Sequence, residues 1–289
     1  MIIAVGLIAA SLWTAACTET RPLGSVTTTG AGGMGGSAAA GPIQVLVWNN
    51  ALKYGHVSRV QAIAYLKMRE SSDNIMFDTT YAHTNPNVQE QVSDTTFDAS
   101  VFTDQGLDKY DVVLFLNTTG NTLDDGMKAV RRQALQDFIE KKGRGFVGIH
   151  SATDTYQKND PDPWPWYVDF IGTNWVGQEP VGTPGVAQFF QNMTHPILID
   201  AMTPNPWSRS DEWFNFSREP QYSQIPGVKL LLTAHDQASA TERASAWIHE
   251  MPAGGRLFYT AFGHATSTFT EPLVINLIVA GIKWAAGRL

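Results

Sequence analysis

Gly143-Arg-Gly-Phe-Val-Gly-Ile-His-Ser-Ala-Thr-Asp154 is a stretch in which a short apolar run leads directly into a histidine. Residues Phe146 to Ile149 are apolar without alternation, which is typical of a central parallel strand that is covered on both faces. In open α/β sheets, ligands bind beyond the carboxyl ends of the strands. His150 stands at such an end, and we therefore expect the functional site there.

Strands and helices alternate before this stretch. Ile43 to Trp48 reads as a strand, a helix opens at His56, and a weaker strand lies around residues 74–81. Tyr110 to Leu116 is the clearest buried strand, and the apolar residues between Val130 and Ile139 form one stripe of a helix. This alternation predicts an α/β fold with right-handed crossovers and a mostly parallel central sheet.

The pattern changes after His150. Residues 160–206 are rich in Pro, Gly and Trp, and we expect a long lid or insertion with a strand at Val186 to Phe190. The part of it that contains Trp164 and Trp166 should form a roof over the site. Three further strands should form a meander, and a last helix should close the domain; these elements are Val228 to Thr233, Ala246 to His249, Arg256 to Ala261 and Glu271 to Arg288.

Composition excludes several classes of function. The chain has 289 residues and a net charge of −7, with 20 basic and 27 acidic residues. It therefore has no basic field for phosphates, and we expect neither a nucleic-acid partner nor electrostatic attraction to an anionic membrane. Cys17 is the only cysteine, so the globular part has neither a disulfide nor a cysteine nucleophile.

The first 41 residues read as targeting and linker segments. Residues 1–16 are almost wholly apolar, too short for a bilayer-spanning helix of about 20 residues, and lead into Cys17. They resemble a bacterial lipoprotein signal, which predicts a signal peptide, a lipid on Cys17 and a periplasm-facing position in the cell envelope. A cleaved signal without lipid, and hence secretion, is the alternative. Residues 17–41 are rich in Gly, Ala and Thr and predict a flexible tether, and residues 42–289 form the folded domain.

Three of the seven histidines follow predicted strands of the sheet. His56 comes after the first strand, His150 after the central one and His264 after the last. One such histidine is more often structural than functional, but three at one sheet edge make a functional site an equally good interpretation. Among the carboxylates we rank Glu212, which lies inside an aromatic segment, above Asp211 and Asp154.

Several short motifs, taken together, resemble the trehalose-utilisation (ThuA-like) family. They are Gly148-Ile-His-Ser-Ala152, Thr194-His-Pro-Ile197, Asp211-Glu212, Ala246-Trp247 and Gly255-Arg-Leu-Phe-Tyr-Thr-Ala-Phe-Gly-His264. The resemblance implies a class I glutamine amidotransferase-like fold, a flavodoxin-like three-layer sandwich. In that parent fold a nucleophilic cysteine stands where this chain has His150, which removes glutaminase chemistry. Ser151 does not replace it, because Ile149 occupies a position where a nucleophile elbow requires a small residue.

The resemblance implies a small-molecule carbohydrate as the partner and an enzyme that acts on a glycoside or a keto-sugar derivative. The expected catalytic residues are His56, His150, Glu212 and His264. Alternatively, His56, His150 and His264 hold one divalent metal ion, for which imidazoles are suitable ligands. The expected substrate-binding residues are Trp164, Trp166 and Asp154. A catalytically inactive carbohydrate-binding module that uses the same pocket remains the second interpretation.

Overall fold

The run from Phe146 to Ile149 lies inside a nine-stranded sheet in the computed structural model, which describes residues 41–220, 225–239 and 241–289. This sheet and a separate pair of strands contain β1 Ile43–Trp48, β2 Ile75–Asp78, β3 Val112–Leu116, β4 Gly145–Ile149, β5 Trp175–Gln178, β6 Thr183–Phe189, β7 Trp207–Asp211, β8 Phe214–Phe216, β9 Val228–Asp236, β10 Arg243–Glu250 and β11 Arg256–Thr260. The helices are α1 Ser58–Lys67, α2 Glu70–Asp73, α3 Asp104–Leu107, α4 Lys128–Glu140, α5 Pro165–Ile171, α6 Pro196–Asp200, α7 Thr266–Thr270 and α8 Pro272–Ala285.

The predicted signal peptide (residues 1–16), Cys17 and the predicted tether up to residue 40 lie outside the described residues. Within the described ranges, no helix is long and apolar enough to cross a membrane.

The sheet has a parallel half and an antiparallel half. Its strand order is β2-β1-β3-β4-β11-β10-β9-β6-β7, and neighbouring strands are parallel from β2 to β11. The remaining neighbours are antiparallel, and β5 pairs with β8 outside this sheet. The order of the parallel half is that of flavodoxin-like sheets. The predicted α/β class with a central sheet of this kind is confirmed.

Residues on the two faces of each parallel strand pack into different clusters. Val45 and Val47 of β1 belong to a core that includes side chains of α1 and α8. Leu46 and Trp48, which alternate with them, belong to a second core that includes side chains of α4 and α5. Burying one such side chain contributes roughly 1.5–3 kcal/mol. Helices therefore cover both faces, which gives the three layers and explains why the strands are apolar without alternation.

Close approach of a helix to the central strand depends on one glycine. A Cβ atom on Gly145 would lie 2.7 Å from the Ala285 carbonyl oxygen at the end of α8. A side chain at this position would push α8 away from β4. The central strand is thus held between a fixed helix, which approaches it at its first residue, and its neighbours β3 and β11.

The expectation that residues 160–206 form a lid is wrong. The strand predicted at Val186 to Phe190 exists as β6, but it pairs with β7 and β9 and extends the main sheet. Strand β5 of the same segment pairs with β8. The segment therefore adds one strand, β6, to the antiparallel half of the sheet and contributes Trp175 and Gln178 to the wall of the site.

Candidate functional site

The candidate site lies at the carboxyl ends of the parallel strands. His56 lies in the loop between β1 and α1, His150 directly follows β4, and His264 follows β11. Since parallel strands end at the same edge of the sheet, these three loops meet there. Glu212 reaches the same place by another route, in the short connection between β7 and β8.

The backbone and the ring of His150 are both held by neighbouring atoms. The residue adopts a left-handed conformation, with φ of 50°, at the start of a 3₁₀ turn. The hydroxyl of Tyr259 donates a hydrogen bond of 2.6 Å to the His150 carbonyl oxygen. The Nδ1 atom of His150 lies 2.8 Å from the Ala261 carbonyl oxygen, and the ring stacks on Phe214 with centroids 4.2 Å apart. The Nε2 atom is thereby directed toward Glu212.

The Glu212 carboxylate lies between two imidazoles. Its Oε2 atom is 2.9 Å from Nδ1 of His264, with which it makes a hydrogen bond, and 3.2 Å from Nε2 of His150. Only 6% of Glu212 is exposed. Burial alone would raise the pKa of this carboxyl, but the His150 and His264 imidazoles outweigh that effect and lower its pKa to about 2. Glu212 is therefore a carboxylate at neutral pH.

The imidazoles of His56 and His264 have opposite charge preferences. Burial and then the neighbouring His150 and His264 lower the pKa of His56 well below its usual value, so this ring is neutral. Burial also lowers the pKa of His264, but Glu212 and the more distant Glu90 raise it above its usual value. His56 and His264 meet edge to face, with ring centroids 4.9 Å apart.

These four residues form one compact cluster. One potential ligand atom from each of His56, His150, Glu212 and His264 lies within 4.8 Å of the others. All four residues are buried. The structure thus brings together the residues that the sequence indicated, whereas their catalytic or metal-binding roles stay predictions.

A network behind α1 fixes the loop that carries His56. The buried Arg59 guanidinium donates to both carboxylate oxygens of Asp94, at 2.5 and 2.7 Å, and to the Asn49 carbonyl oxygen at 2.9 Å. Asp94 also accepts a hydrogen bond of 2.8 Å from the Ala51 backbone N–H. A buried bidentate pair of this kind has a definite geometry. It holds both ends of the β1–α1 loop and so positions His56.

The cluster borders a pocket with aromatic and polar walls. The lining residues are Tyr54, His56, Ser151, Asp154, Trp175, Gln178, Glu212, Phe214 and His264. Asp154 is therefore in the pocket, as predicted for a substrate-binding residue. Burial raises the pKa of its carboxyl to about 6, although Lys53, whose Nζ atom lies 3.6 Å away, opposes this shift. Lys53 also pairs with Asp160.

Trp164 and Trp166 do not line this pocket, and the predicted roof is wrong. Trp164 is buried against Tyr156, with ring centroids 5.1 Å apart. Trp166 stacks on Phe170 at 4.9 Å and donates an indole hydrogen bond of 2.6 Å to Glu140. The apolar side of α5 packs on the sheet core and takes both rings with it.

Sequence reasoning missed five of the lining residues, namely Tyr54, Ser151, Trp175, Gln178 and Phe214. Tyr54 and Phe214 each stand close in sequence to a predicted site residue, which is a signal that could have found them. Trp175 and Gln178 begin and end β5, and their place follows from the pairing of β5 with β8. That pairing has no local signature in the sequence.

Comparisons with known proteins agree with this fold. The structure resembles that of a ThuA-like protein from Bacteroides uniformis (TM-score 0.62, 21% identity, 88% of this chain and 95% of that one). It also resembles a ThuA-like protein from Parabacteroides merdae (TM-score 0.59, 18% identity, 85% of this chain and 90% of that one). Identities this low show the fold alone. No curated protein matches the chain.

A family model also matches most of the chain. The family model described as trehalose utilisation matches residues 44–285, from the first strand of the sheet to the end of α8. This range contains every residue of the cluster and of the pocket. Because the match spans most of the chain, the protein belongs to the ThuA family of trehalose utilisation and has a carbohydrate-related role.

Proposed function

We propose that this protein is a carbohydrate-utilisation enzyme that acts on a glycoside or a keto-sugar derivative in the pocket beside the His56–His150–Glu212–His264 cluster. The observation that carries the proposal is a pocket with two different carboxyl groups. Glu212 is buried between imidazoles, whereas Asp154 lies in the pocket wall beside the charged groups of Lys53 and Asp160. Family membership supports a sugar as the substrate.

The walls of the pocket suit a sugar ring. The rings of Trp175 and Phe214 offer apolar surface for the C–H face of a pyranose, and their centroids are 6.3 Å apart. Gln178, Ser151 and Asp154 add polar groups that can exchange hydrogen bonds with sugar hydroxyls. A mostly apolar pocket with a few convergent polar groups is typical of small-molecule sites.

A ketone on the sugar would make a neighbouring C–H acidic enough for proton removal by a side chain. Removal breaks this C–H bond, and its electron pair forms an enolate. The enolate then either takes up a proton at another carbon, which is isomerisation, or expels an oxygen substituent from the adjacent carbon, which is elimination. Neither outcome requires an oxidant or a reductant.

Asp154 is the group in the pocket that is best suited to move this proton. A general base works best when its pKa lies near the working pH. The pKa of Asp154 is about 6 because of burial, whereas that of Glu212 is about 2. We therefore assign proton transfer to Asp154. The cluster beside the pocket then has the task of stabilising the negative charge that develops on the carbonyl oxygen.

The test is incubation of the purified full chain with trehalose and with its 3-keto form, with and without divalent metal, followed by mass spectrometry. We expect a new product from the keto-sugar, and we expect the D154N variant to form it at least about 100-fold more slowly. A matched control is D162N, an acid outside the pocket. Sugar binding without any product, unchanged by H150A, would support the inactive binding module instead.

We also propose that the protein acts in the cell envelope, held by a lipid on Cys17 and separated from the membrane by residues 18–41. The support is the apolar segment before the only cysteine and the Gly-rich composition after it. In the native host, C17A should move the protein from the membrane fraction to the soluble fraction. If the C17A variant remains in the membrane fraction, or the mature chain does not begin at Cys17, anchoring by this route is wrong.

A further inference from the structure

We infer that His56, His150, His264 and Glu212 bind one divalent transition-metal ion, with three imidazole nitrogens and one carboxylate as ligands. The inference deepens the proposed function. It rests on that function only where it assigns the ion a role in the reaction. The metal-binding part stands on the geometry of the four side chains. It is tested without substrate, so that it and the proposed reaction can fail separately.

The protonation of His150 is the first reason. Its Nδ1 atom lies 2.8 Å from the Ala261 carbonyl oxygen, and this nitrogen must carry the proton because a carbonyl oxygen only accepts. In a neutral imidazole the other nitrogen then has a lone pair and no proton. That Nε2 atom is fully buried, has no hydrogen-bond partner and lies 3.2 Å from Glu212 Oε2. Two acceptors that face each other this closely need a cation or a second proton between them.

The imidazole of His264 lies between two carboxylates. Its Nδ1 atom faces Glu212 Oε2 at 2.9 Å, and its Nε2 atom lies 3.6 Å from Glu90 Oε1. That oxygen of Glu90 is buried without a hydrogen-bond partner. Metal-binding histidines almost always donate their second N–H to a carboxylate or a carbonyl oxygen. Ala261 has this position behind His150, and Glu90 has it behind His264.

His56 completes the set as a neutral ligand. Its ring meets those of His150 and His264 edge to face, at 5.0 and 4.9 Å. Protonated rings this close in a buried site would repel one another, whereas a neutral ring offers a lone pair.

The ligand set selects a class of ion. Imidazole nitrogens suit zinc, iron, nickel and copper, whereas magnesium and calcium prefer oxygen ligands. Metal–nitrogen bonds of about 2.0–2.1 Å place two ligand atoms at most about 4.2 Å apart. The four atoms lie within 4.8 Å of one another, so small side-chain movements bring them to bonding distance. The pocket beside them leaves one side of the ion open to substrate.

When bound, such an ion would act as a Lewis acid on a carbonyl oxygen of the substrate. The residues of the chain keep their own tasks. The four ligands hold the ion, Ala261 and Glu90 orient two of the imidazoles, and Asp154 is outside the ligand set and free to move a proton.

The experiment measures metal content of the purified full chain. The protein is stripped with a chelator, incubated separately with Zn²⁺, Co²⁺, Mn²⁺ and, anaerobically, Fe²⁺, desalted and measured by plasma mass spectrometry. We expect about one equivalent of at least one ion in the wild type and at least a tenfold lower content in E212Q and H150Q. The control H235Q changes a histidine outside the cluster and should keep the full equivalent.

Two further readouts keep the test decisive when a variant folds poorly. Thermal unfolding with and without the ion should show a metal-dependent rise of Tm in the wild type and H235Q but not in E212Q. E90Q should still bind one equivalent, with an affinity about 10- to 100-fold lower. Less than a tenth of an equivalent of every ion in the wild type, or equal content in E212Q and H235Q, would overturn the inference. Product formation by the metal-free protein would then leave the proposed reaction standing.

Discussion

The two halves of the sheet contribute to the pocket and the adjoining cluster in different ways. The parallel half contributes His56, His150 and His264, each in a loop that follows a strand. The wall of the pocket opposite these histidines comes from the antiparallel half and the β5–β8 pair, and it includes Glu212 and Trp175. The histidines therefore depend on the central sheet for their position, whereas the wall depends on a two-stranded pair outside it.

This difference separates the chemistry from the binding surface. Strands β1, β4 and β11 are tied to neighbours on both sides, so their loops are held within small tolerances. Strand β7 lies at the far edge of the sheet, and the chain leaves that edge after Asp211 to pair β8 with β5. We expect changes in the parallel half to lower kcat and changes in the β5–β8 wall to raise KM. Glu212 is the exception. Its position between β7 and β8 places it in the wall, but its side chain contacts the imidazoles of the cluster.

The largest effect is expected from H150Q. This substitution keeps a polar side chain but removes the ring that stacks on Phe214 and faces Glu212. Because the ring is held on both sides, no neighbouring group can replace it. Steady-state kinetics on the keto-sugar should show kcat about 1,000-fold lower, within the range for loss of a catalytic group, with KM changed less than threefold.

The matched control is H235Q in the antiparallel half, where the ring is partly exposed and its Nδ1 atom lies 3.2 Å from the Asp236 carbonyl oxygen. It should change kcat less than twofold. If H150Q instead raises KM and leaves kcat intact, the division of labour between the two halves is wrong.

The sequence predicts the parallel half well because strand, helix and loop all have local signals there. Buried runs such as β3 and the glycine at the start of β4 identify central strands, and the sheet rule then places His150 and His264 at one edge. Among the acids, the sequence favours Glu212 only because of its aromatic neighbours. Its route from the far edge of the sheet could not be read from the sequence.

The lid prediction failed for a physical reason. A Trp- and Pro-rich composition indicates aromatic packing but not the surface on which the rings pack. Trp166 lies on α5 and Trp164 directly before it, and the apolar side of this helix packs on the core. Trp175, in contrast, lies on β5 and lines the pocket. Strand pairing over long sequence separation decides between these outcomes, and it has no local signal.

The second effect concerns Asp154, which belongs to the parallel half because it follows β4. If Asp154 is the base, it must be ionised, so kcat/KM should fall as pH drops below about 6, the pKa of its carboxyl. D154N should lower kcat/KM about 100-fold at pH 7 and remove this limb of the pH profile. Lys53 and Asp160 are the charged groups that act on Asp154, and D162N, outside this set, should keep the wild-type profile.

The same carboxyl has an opposite effect on stability. Its folded-state pKa of about 6 is above the ordinary value of 3.8, so the fold favours the protonated form. Its contribution is therefore greatest below about pH 4 and declines as pH rises to about 6, by roughly 3 kcal/mol. D154N should flatten this part of the curve of unfolding free energy against pH. A decline that persists in D154N would assign it to another group.

The smallest effect is expected from W175A in the β5–β8 wall. Trp175 is partly buried beside Phe214, and its removal takes away ring surface without touching the cluster. Stacking of this kind is worth roughly 0.5–1.5 kcal/mol, which corresponds to about a 2- to 12-fold rise of KM at unchanged kcat. W166A is the matched control, because Trp166 packs on Phe170 away from the pocket. It should lower Tm and leave KM unchanged, whereas a higher KM in W166A than in W175A would restore the tryptophan roof that the structure excludes.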